Sequence, residues 1–208
     1  MAGNPTLYDA VQKANKTSVP NDNIDRAIKR GAGIGGEAIS YESIMYEAYG
    51  PAGVAFLVEC LTDNKNRAAA EVRTLLSRNG GTLADPGSVA YNFDKKGVVA
   101  VDGERYSEDD LMVAIDAGAE DISFEDDVFE IVTEPSDLTA VRKALDEADI
   151  EIQNAEVLQR PKALVPVDED TAAKLIRLID NLEDNDDVDA VHANFDVDAE
   201  VLERLMAA

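Results

Sequence analysis

The sequence predicts an α+β protein in three small domains, one helical and two mixed, of which one is ferredoxin-like. Three observations predict it. The chain has 208 residues, more than the commonest single domain holds. Its apolar spacing alternates between helical and strand periods. Residues 97–162 run in the order βαββαβ, the split pattern of ferredoxin-like units. Hydrophobic residues make up 45% of the chain, aromatic residues only 5%, and tryptophan is absent. The cores must therefore be aliphatic.

Asn4 before Pro5 reads as a cap and first-turn proline, and Leu7, Ala10, Val11 and Ala14 follow at helical spacing. After Ser18-Val19-Pro20 a second helix takes its cap among Asn21, Asp22 and Asn23. It carries Ile24, Ala27 and Ile28 on one stripe and stops at Gly31, placed in the left-handed region. Gly31–Gly36 reads as a flexible joint. Strands are expected over Ile44–Tyr49 and Val54–Leu61, with a turn at Gly50-Pro51 and Gly53. Asn66 is expected to cap a helix with Ala69, Val72, Leu75 and Leu76 inward, and Ser88–Phe93 reads as a further strand.

Beyond Gly97 the elements are a strand at Val98–Val101 and a helix from Ser107 to Gly118. A hairpin of Ile122–Phe124 and Val128–Val132 crosses Asp126-Asp127, then a helix opens at Pro135 and a strand closes at Ile150–Leu158. The last segment reads as strand Ala163–Val167, a helix with Leu175, Ile176, Ile179 and Leu182 inward, and strand Val188–Phe195. Such a βαβ piece cannot bury its own sheet. Residues 37–96 and 163–208 are therefore expected to form one discontinuous α+β domain. Residues 97–162 are inserted into it, and residues 1–36 form a truncated helical domain.

Composition narrows the function. No apolar run is long enough for a membrane span or follows a basic start as in a signal peptide. One cysteine leaves no disulfide framework and fits a reducing compartment, so the expectation is a cytoplasmic, water-soluble protein. Lys and Arg number 19 against 43 Asp and Glu, a net charge of −24. The balance is +2 over residues 1–36, −2 over 37–96, −14 over 97–162 and −10 over 163–208. Polyanions are repelled by most of such a surface. Any nucleic-acid contact belongs to the first 96 residues. The acidic remainder reads as a solvated face, a protein-docking surface or an adaptation to high salt.

Catalytic chemistry finds little purchase. His192 is the only histidine and Cys60 the only cysteine, so neither a zinc set nor a paired thiol nucleophile is available. Gly31–Gly36 matches G-x-G-x-x-G literally, but a helix precedes it where a dinucleotide site needs a strand. Asp184–Asp189 resembles the start of a calcium loop, with Asp189 where glycine is required and Phe195 where glutamate is. The expectation is no enzyme, no cofactor and no metal.

The scarce cations carry more information. Arg26, Lys29 and Arg30 cluster at the end of the second helix, where they also compensate the helix dipole. Lys65 and Arg67 sit at a helix start, which disfavours cations, and Arg73 and Arg78 follow on that helix. Arg67 and Arg78 share a face. Asp63–Arg67 reads as a binding loop.

These stretches also carry a resemblance. Ser18-Val-Pro-Asn-Asp-Asn-Ile-Asp-Arg-Ala-Ile-Lys-Arg-Gly-Ala-Gly33 resembles the hallmark segment of the YebC/PmpR family. So do Tyr46-Glu-Ala-Tyr-Gly-Pro-Ala-Gly-Val54, Glu59-Cys-Leu-Thr-Asp-Asn-Lys-Asn-Arg67, Asn79-Gly-Gly81 and Gly87-Ser-Val-Ala-Tyr-Asn-Phe-Asp-Lys-Lys-Gly97. The resemblance spans essentially the whole chain. It implies a helical N-terminal domain followed by two α+β domains, with no cofactor or catalytic residue. It also implies either a DNA-binding transcriptional regulator or a ribosome-associated factor that eases translation of proline-rich stretches; mitochondrial relatives are translational activators.

Family members usually open with a basic arm that forms the first helix of domain one, whereas Met1 here leads into residues like the family's interior. The expectation is a late start or a lost arm, with residues 1–36 loosely packed or docked on a neighbour. Three readings stand. The first is a DNA-binding regulator using Arg26, Lys29, Arg30, Lys65, Arg67, Arg73 and Arg78. The second is a translation factor using the same edge, within residues 18–96, on ribosomal RNA. The third is an acidic adaptor for a basic protein partner.

Overall fold

A computed structural model describes residues 7, 10–11, 14–15, 17–32, 40–125 and 127–206. Asn4, Pro5 and Gly33–Gly36 therefore lie outside the described residues, as does Asp126 of the expected hairpin. Residues 7, 10, 11, 14 and 15 are helical, and helix α1 spans Asn21–Gly31. Between them runs an apolar groove of about 580 Å3 lined by Leu7, Val11, Val19, Ile24, Ala27 and Ile28 among others. Gly31 does not adopt the left-handed conformation expected of it. The helix ends instead through Ala32, at φ −82° and ψ 0°, whose N–H donates to the Ile28 carbonyl.

In the first sheet, strand β1 (Glu42–Tyr49) pairs antiparallel with β2 (Ala55–Thr62) on one side and with the short β3 (Thr82–Leu83) on the other. Strand β9 (Val188–Ala193) pairs antiparallel with the far side of β2, which makes the order β3-β1-β2-β9. Helices α2 (Lys65–Arg78) and α5 (Glu169–Glu183) cover one face. There Ala48, Phe56, Val58 and Cys60 meet Val72, Leu76, Leu175, Leu178 and Leu182, all essentially inaccessible. Each large side chain among them contributes roughly 1.5–3 kcal/mol by its burial. The alternate residues of β2, Ala55 and Leu57, face the other way onto Val89 and Phe93. This two-sided burial explains why β2 reads as an almost continuous apolar run. The β1–β2 turn passes under Phe56, and a Cβ on Gly50 would lie 2.5 Å from its ring.

The second sheet is antiparallel throughout. It comprises β4 (Phe93–Asp102), β5 (Ala119–Glu125), β6 (Val128–Thr133) and β7 (Ile152–Pro161), in the order β5-β6-β4-β7. Helices α3 (Met112–Asp116) and α4 (Leu138–Glu147) cover one face over Val99, Val101, Ile131, Leu111, Val141 and Leu145. Gly97 permits the close approach of α4, since a Cβ there would meet the Thr133 hydroxyl at 2.8 Å and Leu138 Cβ at 3.0 Å. Helix α6 (Ala199–Met206) ends the described chain. The architecture is the α+β one expected, with the ferredoxin-like strand order in its second sheet.

Several local expectations need correction. The cap of α2 is Asn64, whose Oδ1 accepts the Arg67 N–H at 3.1 Å, and not Asn66. Lys65 and Arg67 thus lie in the helix's first turn and not in a loop. Residues 88–93 are not a strand. Ala90–Asn92 forms one 3-10 turn, because the backbone donors on either side of Ser88 go to the Glu47 carboxylate and not to a ladder. Strand β4 starts only at Phe93. The helix expected from Ser107 is regular only from Met112. Its entry is built of three-residue hydrogen bonds, Asp110 N to Ser107 O and Leu111 N to Glu108 O, while Ser107 donates to the Asp110 carboxylate. Of Ala163–Val167 only Val165–Pro166 (β8) is extended. It pairs parallel with β10 (Phe195–Asp196), apart from the first sheet. Pro166 has no N–H with which to continue a ladder.

Cys60 is 1% exposed on β2, and burial, with Asp187 and Asp189 nearby, pushes its thiol up to about 11. It should remain protonated and inert at pH 8. Titration with a thiol reagent is expected to show no reaction in the folded protein and full reaction in denaturant. Fast stoichiometric labelling of the native chain would contradict this placement.

Candidate nucleic-acid interface

The seven cations singled out in the sequence occupy two helices. All are exposed. On α1, Arg26, Lys29 and Arg30 form no ion pair among the described residues, and Lys29 and Arg30 occupy the last turn, where the helix dipole favours cations. No residue from 18 to 32 shares a hydrogen bond or ion pair with one from 40 to 206 among the described residues.

On α2 the cations divide. Arg67 is engaged within the protein: its Nε donates to Asp187 Oδ2 at 2.9 Å, and its Nη2 donates to Asp187 Oδ1 at 2.6 Å and to Asp63 Oδ1 at 2.8 Å. That fork joins the α2 start to the loop before β9, where Asn185 also donates to Glu71 of α2. The Asp187 side chain is 6% exposed. The Arg67 guanidinium holds its carboxyl below the usual range, against the opposing effect of burial, with help from the Thr62 hydroxyl. Lys65 is ion-paired with Glu42 of β1. Arg73 and Arg78 form no ion pair among the described residues, and Arg73 lies roughly 120° around the helix from Arg67.

On the face of the first sheet away from α2 lies a feature the sequence did not reveal. Glu47, 9% exposed, takes the N–H of Gly87 at 2.5 Å, of Val89 at 2.6 Å and of Ala90 at 2.9 Å. Burial alone would raise its pKa, but the N–H groups of Gly87, Val89, Ala90 and Ser88 together bring it below the ordinary value. Tyr49 adds a hydrogen bond from its hydroxyl to the Ser88 carbonyl at 3.0 Å. The loop so fixed carries Tyr91, which is 66% exposed. The sole local signal for Glu47 is a charge on the β1 face that also presents Met45 and Tyr49.

A second group of cations was also missed. The β4–β7 register places Asp94 opposite Arg160 and Lys96 opposite Leu158, so Lys95, Lys96, Arg160 and Lys162 gather at one end of the second sheet. Lys96 pairs with Glu120 and Glu134, Arg160 with Glu130 at 2.5 Å and Lys162 with Asp94 at 3.1 Å. Lys95 is exposed and pairs with nothing among the described residues.

His192 of β9 lies beside Glu59, Nε2 to Oε1 at 3.3 Å, and that Nε2 makes no hydrogen bond. Among the described residues no cluster of three or more His, Cys, Asp or Glu side chains is placed to hold a metal. No described helix is long and apolar enough to cross a membrane.

Comparison with known proteins places the chain. Residues 41–195 match the family model described as the TACO1/YebC second and third domain, and residues 1–34 match that of the TACO1/YebC protein N-terminal domain. A relative from Clavibacter michiganensis subsp. michiganensis is 63% identical over 97% of this chain and 80% of its own length. One from Salinispora arenicola is 60% identical over 98% of this chain and 82% of its own. Both are named "Probable transcriptional regulatory protein". The crystal structure of a conserved hypothetical protein, Aq1575, from Aquifex aeolicus superposes with a TM-score of 0.83 at 41% identity, covering 96% of this chain and 82% of that one. The chain belongs to the TACO1/YebC family.

Proposed function

We propose that this chain is a non-enzymatic regulator of gene expression that binds nucleic acid, with transcriptional control by DNA binding as the primary reading. The names of its relatives support the regulatory role. The observation that carries the binding role is that, in a strongly acidic chain, five of the seven cations singled out in the sequence are exposed and form no ion pair among the described residues: Arg26, Lys29 and Arg30 on α1, and Arg73 and Arg78 on α2. These five contact phosphate. Arg67 and Lys65, having carboxylate partners, position α2 and add less charge to the contact. The domain division goes with this reading: residues 1–36 as a helical module, 37–96 with 163–208 as one unit, and 97–162 inserted. The pairing of β9 with β2 supports it. No cofactor takes part.

Ribosomal RNA is a second target class, favoured by one observation. The balance of −24 over residues 97–208 opposes wrapping of a long duplex, whereas a local contact within residues 18–96 leaves that surface to solvent or to basic protein partners. Fluorescence titration of duplex DNA at physiological salt, beside co-sedimentation with ribosomes, separates the two. DNA binding without ribosome association supports the primary reading. Ribosome association without DNA binding replaces it with the second, and the absence of both would leave the acidic-adaptor reading.

A further inference from the structure

We propose that Tyr91 is a stacking platform for an unpaired base, so that the nucleic acid this chain receives is single-stranded or looped at that point. The proposal rests on the nucleic-acid reading above. Its basis is how the loop is built. Val89 and Phe93, on either side, are 0% and 5% exposed and pack on Ala55 and Leu57. Glu47 fixes the backbone of Gly87, Val89 and Ala90, Tyr49 fixes Ser88, and the Lys162 N–H donates to the Asn92 carbonyl at 2.8 Å. The backbone is thus tied on both sides of Tyr91, to the first sheet before it and to the end of β7 after it. The bulkiest side chain of the loop is nevertheless left 66% exposed. An aromatic ring in that position adds little to the core. It does offer a rigid π-face with little ordering cost on binding.

The electrostatic setting agrees. The segment that follows, residues 97–162, carries −14, yet four of the seven cations between residues 93 and 162 gather at the end of the sheet next to this loop, where Lys96, Arg160 and Lys162 offset Glu120, Glu134, Glu130 and Asp94 and leave that end near neutral. Lys162 is joined to the loop by its backbone, and the Lys95 ammonium is unpaired among the described residues. A phosphate backbone can approach there with less repulsion than elsewhere on the second sheet. Bases stack on aromatic side chains without sequence preference, each contributing about 1–3 kcal/mol. A duplex keeps its bases stacked on one another and cannot use such a ring.

The chain has no tryptophan, so Tyr91→Trp creates a single reporter at the site. Titration with a short oligothymidylate is expected to quench its fluorescence saturably. Tyr91→Ala should weaken single-strand binding by about 5- to 140-fold, as follows from the stacking free energy at 1.4 kcal/mol per tenfold. Tyr91→Phe should stay within about twofold, and duplex binding should be unchanged in all three variants, with folding checked by thermal melting. Single-strand binding by Tyr91→Ala equal to wild type, or binding to Tyr91→Trp without quenching, would overturn the stacking role alone. Equal loss on duplex and single strand would overturn the preference for an unpaired base. If the unaltered chain binds neither form, the underlying nucleic-acid reading fails with it.

Discussion

Replacing Glu47 by alanine is expected to destabilise the protein by roughly 3 kcal/mol, as measured by denaturant unfolding. Hydrogen bonds to a charged group contribute about 1.5–3 kcal/mol each, and Glu47 accepts three from the backbone at 2.5–2.9 Å. Part of that is regained when water reaches the partly buried loop, which holds the loss well below the simple sum. The effect has a defined pH dependence. Its pKa in the fold is lower than its ordinary value of 4.5, so its contribution is fully present above that value and is lost as pH falls through the folded value. The stability gap between wild type and Glu47→Gln should therefore narrow on acidification below about pH 4.5. A gap that does not change with pH would contradict the cradle. Asp187, held low by Arg67, adds acid sensitivity of the same sign.

A chain ending at residue 162 is expected to lose the fold of its first sheet while keeping that of the second. The truncation removes β9, which pairs with β2, and Leu175, Leu178 and Leu182, which cover Phe56 and Val58 with 0% exposure. Deleting a single buried leucine side chain costs roughly 2–5 kcal/mol. Removing three together exceeds much of the roughly 5–15 kcal/mol that a whole domain possesses. The second sheet draws its core from residues 99–155 and is untouched. Amide exchange followed by mass spectrometry should show residues 42–78 unprotected and residues 93–161 protected. Native-like protection of β1 and β2 in the shortened chain would argue against the discontinuous unit.

The parts of the fold that follow apolar period were legible in the sequence. The β1–β2 hairpin, the βαββαβ order and the need of the last segment for a foreign sheet all follow from which residues must be buried together. Where side chains compete for backbone donors, period gives no guidance. Val89 and Phe93 read as strand residues, but Glu47, 40 positions before Gly87, withdraws the backbone donors a strand would need. Asn64 and Asn66 are equivalent as letters, and only the end of β2 at Thr62 decides which one caps.

The candidate interface was half legible for a related reason. With 43 carboxylates to 19 cations, most cations have acids within reach, and the register alone decides which are neutralised. Arg67 meets Asp187 across 120 positions, and nothing in the segment Asp63–Arg67 announces it. Arg26, Lys29 and Arg30 form no ion pair among the described residues although Asp22 and Asp25 stand four positions before Arg26 and Lys29 on the same helix, so spacing alone did not decide which cations stay unpaired. Lys95 and Lys162 become neighbours only once β4 pairs with β7.

The proposed binding depends above all on exposed cations, those of α1 first, meeting phosphate. The most direct test is the salt dependence of nucleic-acid binding in the unaltered chain and in the Arg26→Ala, Lys29→Ala, Arg30→Ala triple variant. Removing one cation–phosphate pair lowers the slope of log K against log salt by about 0.9 on duplex DNA and about 0.7 on a single strand. The slope of the triple variant is expected to be shallower by about 2–3 on duplex. An identical slope in the two proteins, or binding indifferent to salt, would contradict the role of these cations.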